Sequence, residues 1–303
     1  MKYKDWLKDW LELYVKPTTK ERTYLKYQKQ VKIHIIPILG DYELNELMAT
    51  DLQRFVVGLS EKGLSANTIN GLISTLKSSL KRAVLLNITE KEYTSAIVRP
   101  KHREKQIECF SKEEQRKIEQ YVFDKKKSKL FGVILCLYTG LRIGELLSLT
   151  WDDVDLQKGI INVSKSCHDS WENGEYVKVI DTPKTENSFR MIPLPKQLLP
   201  RLKELKKLTG EGYVVGGELT HGAQVRSYQK TFELMLKRLK ISHKGFHVLR
   251  HTFATRALEC GMDVRTLSEI LGHKNPTITL RRYTHSMLEH KSEMMNRLGK
   301  MLL

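Results

Sequence analysis

The sequence predicts a mainly helical protein with a small β-sheet, an α+β fold in two domains. Helical spacing of apolar residues fills the first 90 positions, β-type runs occur between residues 159 and 194, and helical patterns return from residue 196. A chain of 303 residues is long enough for two domains with separate cores. We expect a helical domain over residues 1–92, a polar basic linker over 93–110 and a second domain over 111–303, with an amphipathic tail from about 286 to 303.

Four helices are predicted in the first domain. They span, in order, residues 3–15, 19–36, 51–59 and 66–84. Pro37 and Gly40 are expected to stop the second helix, and Thr50-Asp51 to cap the third. The fourth is the clearest, because Ser65 is a good N-cap and an apolar stripe at steps of three, one and four follows it.

In the second domain, Ser111 and Glu114 form a capping-box pattern that opens a helix. Two further helices are expected, one ending at Gly140 and the next running from Arg142 to Leu149. Three short β-type runs follow, at residues 159–163, 176–180 and 190–194, with polar residues 182–188 as the turn that joins the last two. The sequence from residue 196 onward is predicted to be helical, apart from a short strand expected at 213–215.

Composition indicates a polyanionic partner and excludes other classes. The net charge of +17 and the pI near 9.6 exceed what solubility requires and favour nucleic acid. No apolar run approaches the length of a membrane span, and the first residues do not open a signal peptide, so a cytosol-like compartment is expected. The four cysteines are too scattered for paired zinc ligands and are expected to be reduced thiols.

One position in the first part of the second domain is a candidate for binding a phosphate. Arg142 follows Gly140 near a predicted helix N-terminus, where the helix dipole favours an anion, and its planar guanidinium can bind two phosphate oxygens. Glu145, three residues later on the same helical face, is placed to hold that guanidinium. Taken alone, the pattern around Arg142 favours a surface arginine that is paired locally.

Histidines and a tyrosine near the C-terminus extend this candidate site. His247 and Arg250 project from one side of a helix, and His273 follows a turn signal. His247 and His251 have the spacing of metal ligands, but a third ligand and a neighbouring acid are missing, so no metal is expected. Tyr283 is a candidate nucleophile, although spacing alone does not select it from the twelve tyrosines.

Five motifs then carry a resemblance to a known family. In chain order they are Thr139-Gly140-Leu141-Arg142-Ile143-Gly144-Glu145-Leu146, Thr182-Pro183-Lys184-Thr185, His247-Val248-Leu249-Arg250-His251-Thr252-Phe253-Ala254-Thr255, Leu271-Gly272-His273 and Tyr283-Thr284-His285. The chain resembles the tyrosine recombinases of the phage integrase family, with these motifs in the family's order. The similarity extends over nearly the whole chain.

The resemblance implies a role for each matching residue. Arg142 and Arg250 would clamp the scissile phosphate, with Glu145 in support. His247 would act as general acid and base, and His273 would hydrogen-bond the phosphate. Lys184 would protonate the leaving 5′ oxygen while Tyr283 attacks to give a 3′-phosphotyrosine. No cofactor or metal is required, because the covalent link conserves the energy of the phosphodiester.

The same resemblance implies how the protein meets DNA. Residues 1–92 would be the SAM-like core-binding domain of a clamp around duplex DNA, and 111–303 the catalytic domain. Basic residues expected to contact DNA, rather than only line a solvated face, are Lys77, Lys81, Arg82, Arg281 and Arg282. A homo-tetramer on two DNA sites is implied. Its C-terminal tail would dock on a neighbouring protomer or, alternatively, pack against its own chain.

Several functions remain open within this framework. The leading expectation is a cytoplasmic recombinase, acting at the bacterial nucleoid, that integrates or excises a mobile element with an accessory DNA-bending or directionality factor. A chromosome-dimer resolvase, a type IB topoisomerase and a non-catalytic DNA-binding regulator are the alternatives. Many element integrases carry an additional N-terminal domain for arm-type DNA sites. Since there is no room for one before Tyr3, we expect a simpler recombinase or a trimmed chain.

Overall fold

The chain separates into two compact units, Met1–Lys105 and Gln106–Leu303. The structure, a computed structural model, describes residues 1–90, 92–101, 108–125, 128–172, 174–181, 189–216, 223–273, 275–283 and 288–302. Within these ranges, no helix is both long and apolar enough to cross a bilayer.

The first unit is helical, as predicted. Its helices are α1 (Tyr3–Asp9), α2 (Glu21–Gln30), α3 (Ile36–Leu39), α4 (Ala49–Glu61) and α5 (Ala66–Leu85). Wider π-helical turns at Trp10–Val15 and Val31–Ile35 extend α1 and join α2 to α3. The second predicted helix therefore continues three residues further, to Leu39, because Pro37 lies in the first turn of α3, where a missing N–H costs least.

Helix caps agree with the sequence in one case and differ in another. Ser65 caps α5 as predicted, since its Oγ accepts a hydrogen bond from the Thr68 N–H at 3.2 Å. The cap predicted at Thr50-Asp51 is wrong in position. Helix α4 already begins at Ala49, and Asp51 accepts the Met48 N–H at 3.1 Å from the third helical position.

The core of the first unit lies between its helices. The apolar stripe predicted for the fourth helix is the buried face of α5, formed by Ile69, Leu72, Ile73, Leu76, Leu80 and Ala83. Residues 94–100 also pack on this unit. Ile97 is buried in its core, and the Asn70 Nδ2 donates to the Pro100 carbonyl at 3.3 Å.

The second unit is built on one apolar helix. Its helices are α6 (Lys112–Lys125), α7 (Ser128–Thr139), α8 (Ile143–Ser148), α9 (Leu199–Thr209), α10 (Val225–Arg238), α11 (His247–Glu259), α12 (Val264–Leu271), α13 (Pro276–Tyr283) and α14 (Leu288–Leu302). Helix α7 is apolar on nearly all faces, which is typical of a central buried helix. The predicted capping box is confirmed, because Ser111 and Glu114 exchange backbone-to-side-chain hydrogen bonds of 2.9 and 3.1 Å.

The β-structure forms two antiparallel sheets. Strands β1 (Val154–Asp155), β2 (Ile160–Val163) and β5 (Arg190–Pro193) make one, in the order β1-β2-β5. Strands β3 (Ser166–Glu172) and β4 (Glu175–Asp181) make the other.

The turn predicted at residues 182–188 lies outside the described residues, and the two β-runs that it joins do not pair with each other. Strand β4 pairs with β3 and β5 pairs with β2, so the strands on either side of residues 182–188 belong to different sheets. Strand β3 was not predicted because its residues are mostly polar and lack the alternation that reveals a half-buried strand. The strand expected at 213–215 is a single bridge between Tyr213 and Thr150.

Candidate active site

A sharp turn between α7 and α8 positions Arg142. Gly140 has φ +66°, a region that L side chains rarely adopt. A Cβ at this position would lie 2.6 Å from the Phe253 ring and 2.8 Å from the Leu271 side chain, so only glycine lets the turn close against α11 and α12. Arg142 then caps α8 in an extended conformation, with its side chain 38% exposed.

The Glu145 carboxylate holds Arg142 in this position. Oε1 accepts a hydrogen bond from Arg142 Nη1 at 2.7 Å, and Oε2 accepts the Arg142 backbone N–H at 2.9 Å. The same side chain thus fixes both the guanidinium and the first turn of α8. A buried carboxylate that engages a partly exposed arginine leaves the outer edge of the guanidinium available to an anion.

Arg190, on β5, is a second arginine on Glu145. Its Nη1 and Nη2 donate to Oε1 and Oε2 at 3.1 and 2.8 Å, and its Nε donates to the Ile270 carbonyl at 2.6 Å. The sequence interpretation missed this residue. A signal was present, because Arg190 lies on the same strand face as the buried Ile192, and a buried arginine requires a charged or polar partner.

Glu145 is strongly ionised in this environment. Burial acts to raise its pKa, but the hydrogen bonds and charge of Arg190, followed by the charge of Arg142, outweigh burial and lower the pKa to about 2. The carboxylate therefore remains charged throughout the neutral range and keeps both guanidinium groups in place.

Arg250 is the most buried charged group of the site, at 2% exposure. Its Nη1 donates to the Gly140 carbonyl at 2.8 Å and its Nη2 to the Leu271 carbonyl at 2.6 Å. These carbonyls lie at the C-terminal ends of α7 and α12, where the helix dipoles favour a cation. Two helix ends thus stabilise the charge of Arg250 without a carboxylate among these contacts.

His273 lies directly against Arg250. Gly272 ends α12 in the left-handed conformation, and the His273 Nε2 lies 3.0 Å from Arg250 Nη2. Because a guanidinium can only donate, Nε2 accepts this hydrogen bond and Nδ1 carries the proton. Nδ1–H then donates to the Thr279 Oγ1 on α13 at 2.7 Å. Thr279, fully buried, is a second residue that the sequence interpretation missed.

His247 is the exposed first residue of α11, one helical turn before Arg250. Its ring meets that of His251 edge-on, with centroids 4.6 Å apart. In the described part of the chain, no three or more His, Cys, Asp or Glu side chains are grouped as metal ligands.

Four further candidates lie partly or wholly outside the described residues. Tyr283 is the last residue of α13, the helix that also carries Thr279. Its side chain, those of Arg281 and Arg282, and Lys184 as a whole lie outside the described residues. The structure therefore brings together Arg142, Glu145, Arg250 and His273, while the nucleophile and Lys184 stay predictions.

In the first unit, Lys77 and Lys81 are exposed one turn apart on α5, opposite its buried stripe. Arg82 is also exposed, and its guanidinium lies over the Tyr14 ring, 5.3 Å from the centroid.

The charges of the site favour an anion. The three guanidinium groups of Arg142, Arg190 and Arg250 against the single Glu145 carboxylate leave a net charge of two positive units around the Gly272 turn. Guanidinium groups bind the oxygens of phosphates and carboxylates through paired hydrogen bonds. Fold and site together define a two-unit α+β chain with a basic centre suited to an anion.

Comparison with known proteins identifies the family. The model of the phage integrase family matches residues 100–290, and the model of the phage integrase N-terminal SAM-like domain matches residues 2–60. The chain belongs to the phage integrase family and is a tyrosine-type site-specific recombinase.

Individual relatives agree with this assignment. A tyrosine recombinase XerC-like protein of Caldanaerobacter subterraneus is 31% identical, over 99% of this chain and 83% of its own length. The transposase of transposon Tn916 from Enterococcus faecalis is 27% identical, over 86% and 69%. The solved Tn1549 transposon integrase in complex with transposon right end DNA has the same fold, with a TM-score of 0.81, 23% identity and coverage of 99% and 100%.

Proposed function

We propose that this recombinase cuts and rejoins duplex DNA with Tyr283 as the nucleophile, Arg142 and Arg250 as phosphate-binding groups, and His273 as a further phosphate-binding group once DNA binding frees its Nε2 from Arg250 and Nε2 carries a proton. The observation that carries the proposal is the convergence of these three groups on the Gly140 and Gly272 turns. Tyr283 ends the helix that contacts His273 through Thr279, which supports its assignment to the same site.

The proposed chemistry is a transesterification. The Tyr283 oxygen attacks the phosphorus, the bond to the 5′ oxygen breaks, and Lys184 protonates the leaving oxygen. His247 accepts the phenol proton. Extra negative charge develops on the non-bridging oxygens, where Arg142 and Arg250 are fixed in advance and need little reorganisation. The reverse reaction, with a different 5′ hydroxyl, rejoins the strands.

The proposed biological role is integration or excision of a mobile element. Similarity to a Tn916 transposase over 86% of the chain supports this role, whereas similarity to a XerC-like recombinase keeps chromosome-dimer resolution as the alternative. The protein would act on DNA at the nucleoid, with an accessory bending or directionality factor. Attachment-like repeats beside the gene would favour the element, and a single chromosomal site without repeats would favour the resolvase.

The first unit is proposed to contact DNA through exposed basic residues of α5, namely Lys77, Lys81 and Arg82. In the second unit, Arg281 and Arg282 are proposed to add DNA contacts near the nucleophile. A homo-tetramer on two DNA sites is proposed as the active assembly. The exposed apolar residues of α14 support docking of the tail on a neighbour.

A suicide substrate, nicked so that the cleaved strand end diffuses away, tests the assignment. The native chain is expected to accumulate a covalent protein–DNA adduct, and Tyr283→Phe is expected to form none because it lacks the attacking oxygen. Tyr42→Phe, at an exposed tyrosine of the first unit, is the matched control and should react normally. Adduct formation is measured by denaturing gel electrophoresis of labelled DNA.

Equal adduct formation by Tyr283→Phe would remove Tyr283 from the mechanism. Relaxation of plasmids without any special site, and without recombinants, would instead indicate a type IB topoisomerase. DNA binding with no adduct from the native chain would indicate a regulator that has kept the fold.

A further inference from the structure

Arg190 and Arg142 share one carboxylate in a regular pattern. Each oxygen of Glu145 accepts two hydrogen bonds, one from each arginine: Oε1 from the two Nη1 groups, and Oε2 from the Arg142 backbone N–H and Arg190 Nη2. The capacity of an ionised carboxylate is about four such bonds, so the Glu145 acceptors are filled. Arg190 contributes half of them.

Arg190 also contacts the other half of the site. Its Nε donates to the Ile270 carbonyl at the end of α12, one residue before the Leu271 carbonyl that binds Arg250. A Cβ on Gly272 would lie 3.1 Å from both Cδ and Nη1 of Arg190, so the guanidinium lies directly against the turn that presents His273. One side chain therefore supports the Arg142 turn and the His273 turn.

Arg190 does not itself face the substrate. Its side chain is 6% exposed, against 38% for Arg142, and its Nε, Nη1 and Nη2 donate to the Ile270 carbonyl and to Glu145, so of the two arginines on Glu145 it is Arg142 that presents its guanidinium to a DNA phosphate. We infer that Arg190 is a positioning residue for strand cleavage, which occupies the inner side of Glu145 so that Arg142 keeps its outer edge and its charge for the scissile phosphate. The inference rests on the proposed function.

Charge and geometry explain why Arg190, the arginine on the inner side of Glu145, should affect cleavage. With Arg190 present, Glu145 neutralises one of two arginines, and the cluster retains a net positive charge. Without Arg190, two acceptor sites of a buried carboxylate lose their donors, which is costly in a poorly solvated place. Rotation of Arg142 inward would satisfy them, and the resulting pair would be neutral and poorly placed to bind phosphate.

The test is a double-mutant cycle on single-turnover cleavage of the suicide substrate. Arg190→Gln should slow cleavage about 10- to 100-fold, the range found for partners that orient metal ligands, while binding of the intact DNA site changes less than about threefold. In the Glu145→Gln background, Arg190→Gln should change the cleavage rate less than about twofold, because Arg190 acts through Glu145.

The pH dependence gives a second readout. The charged or titratable groups known to act on Glu145 are Arg142 from the start of α8, Arg190 from β5 and the Cys136 thiol from α7. Burial raises the pKa of Glu145, and Arg190 is the group that opposes this effect most strongly, so loss of Arg190 raises the pKa of Glu145. A protonated Glu145 no longer draws Arg142 inward, so the ratio of the Arg190→Gln rate to the native rate should rise as the pH is lowered, and this rise should disappear in Glu145→Gln.

Arg256→Gln is the matched control. Like Arg190, Arg256 binds both oxygens of a glutamate, Glu259, and one backbone carbonyl, that of Phe110, but it contacts none of the site residues described above. It should lose a similar amount of thermal stability and cleave at the native rate. If Arg190→Gln does not fold, the cycle is repeated with Arg190→Lys, which keeps the charge and loses the paired hydrogen bonds.

The outcomes separate the two proposals. No adduct from the native chain refutes the proposed function. If the native chain cleaves, two results would overturn the role of Arg190 and leave the proposed function intact. The first is an Arg190→Gln variant that cleaves at the native rate. The second is an Arg190→Gln substitution that slows cleavage equally with Glu145 and with Gln at position 145.

Discussion

The Glu145 carboxylate binds two arginines of the site, and its contribution to the stability of the fold depends on pH. Its pKa of about 2 in the fold lies below its ordinary value of 4.5. A group with a lowered folded pKa contributes stability above its unfolded pKa, and the contribution is lost as the pH falls toward the folded pKa. The relevant range for Glu145 is therefore from about pH 5 down to about pH 2.

Glu145→Gln is expected to lower the free energy of unfolding at pH 7 by on the order of 3 kcal/mol, because the buried Arg190 and the partly exposed Arg142 lose their charge partner. The difference between native chain and variant should shrink as the pH falls from 5 to 3, because the Glu145 carboxylate of the unfolded chain takes up a proton in this range while the folded one stays charged. Urea denaturation at several pH values measures both free energies. A difference that stays constant over this range would show that Glu145 is not held charged by its arginines.

At the scale of elements, the turn from α7 to α8 depends on a glycine for two separate reasons, conformation and space. Gly140→Ala is expected to destabilise the second unit by about 3 kcal/mol, from the left-handed backbone and from overlap with Phe253 and Leu271. Gly261→Ala separates the two causes. Gly261, at the end of α11, has φ +87° but nothing within 4 Å of an added Cβ, so its substitution should cost only about 1 kcal/mol.

Thermal and urea unfolding of the two glycine variants supply the comparison. Equal losses of stability at Gly140 and Gly261 would show that backbone conformation alone, and not the close contact with α11 and α12, requires Gly140.

Elements also show how far the sequence predicts this structure. Helix periodicity located α5 and α7, and capping patterns located the starts of α5 and α6, because these signals are local. Periodicity did not reveal the π-helical turns or the polar strand β3, whose pairing depends on β4. Strand partners are set by competition across the whole sheet, so the separation of β4 from β5 could not be read from adjacent segments.

The residues of the candidate site likewise comprise some that the sequence predicts and some that it does not. Motif resemblance supplied Arg142, Glu145, Arg250 and His273, and the structure brings their contacts together. Arg190 and Thr279 were missed because their importance arises from tertiary contacts over 45 and 6 residues, and neither stands in a motif on which the resemblance was based. Residues that position a catalytic side chain can be identified only when the fold shows which side chains contact it.

At the scale of the whole molecule, the last helix offers an apolar surface that its own chain does not cover. Met295, Leu298, Met301 and Leu302 on α14 are between 43% and 77% exposed. Side chains that packed in cis would be largely buried, so this exposure favours the proposal that the tail docks on a neighbouring protomer.

Leu298→Glu with Met301→Glu is therefore expected to leave the melting temperature of the free chain within about 2 °C, since exposed positions contribute little to stability. The same variant should weaken assembly of multi-subunit complexes on two-site DNA at least about tenfold, because each charge would be buried at the protomer interface. Leu208→Glu, at a leucine of α9 that is 67% exposed, is the matched control and should assemble normally. Sedimentation of the protein–DNA complexes measures assembly. If the double variant instead melts several degrees lower and assembles like the native chain, the tail packs against its own protomer, and the tetramer must be held together by another surface.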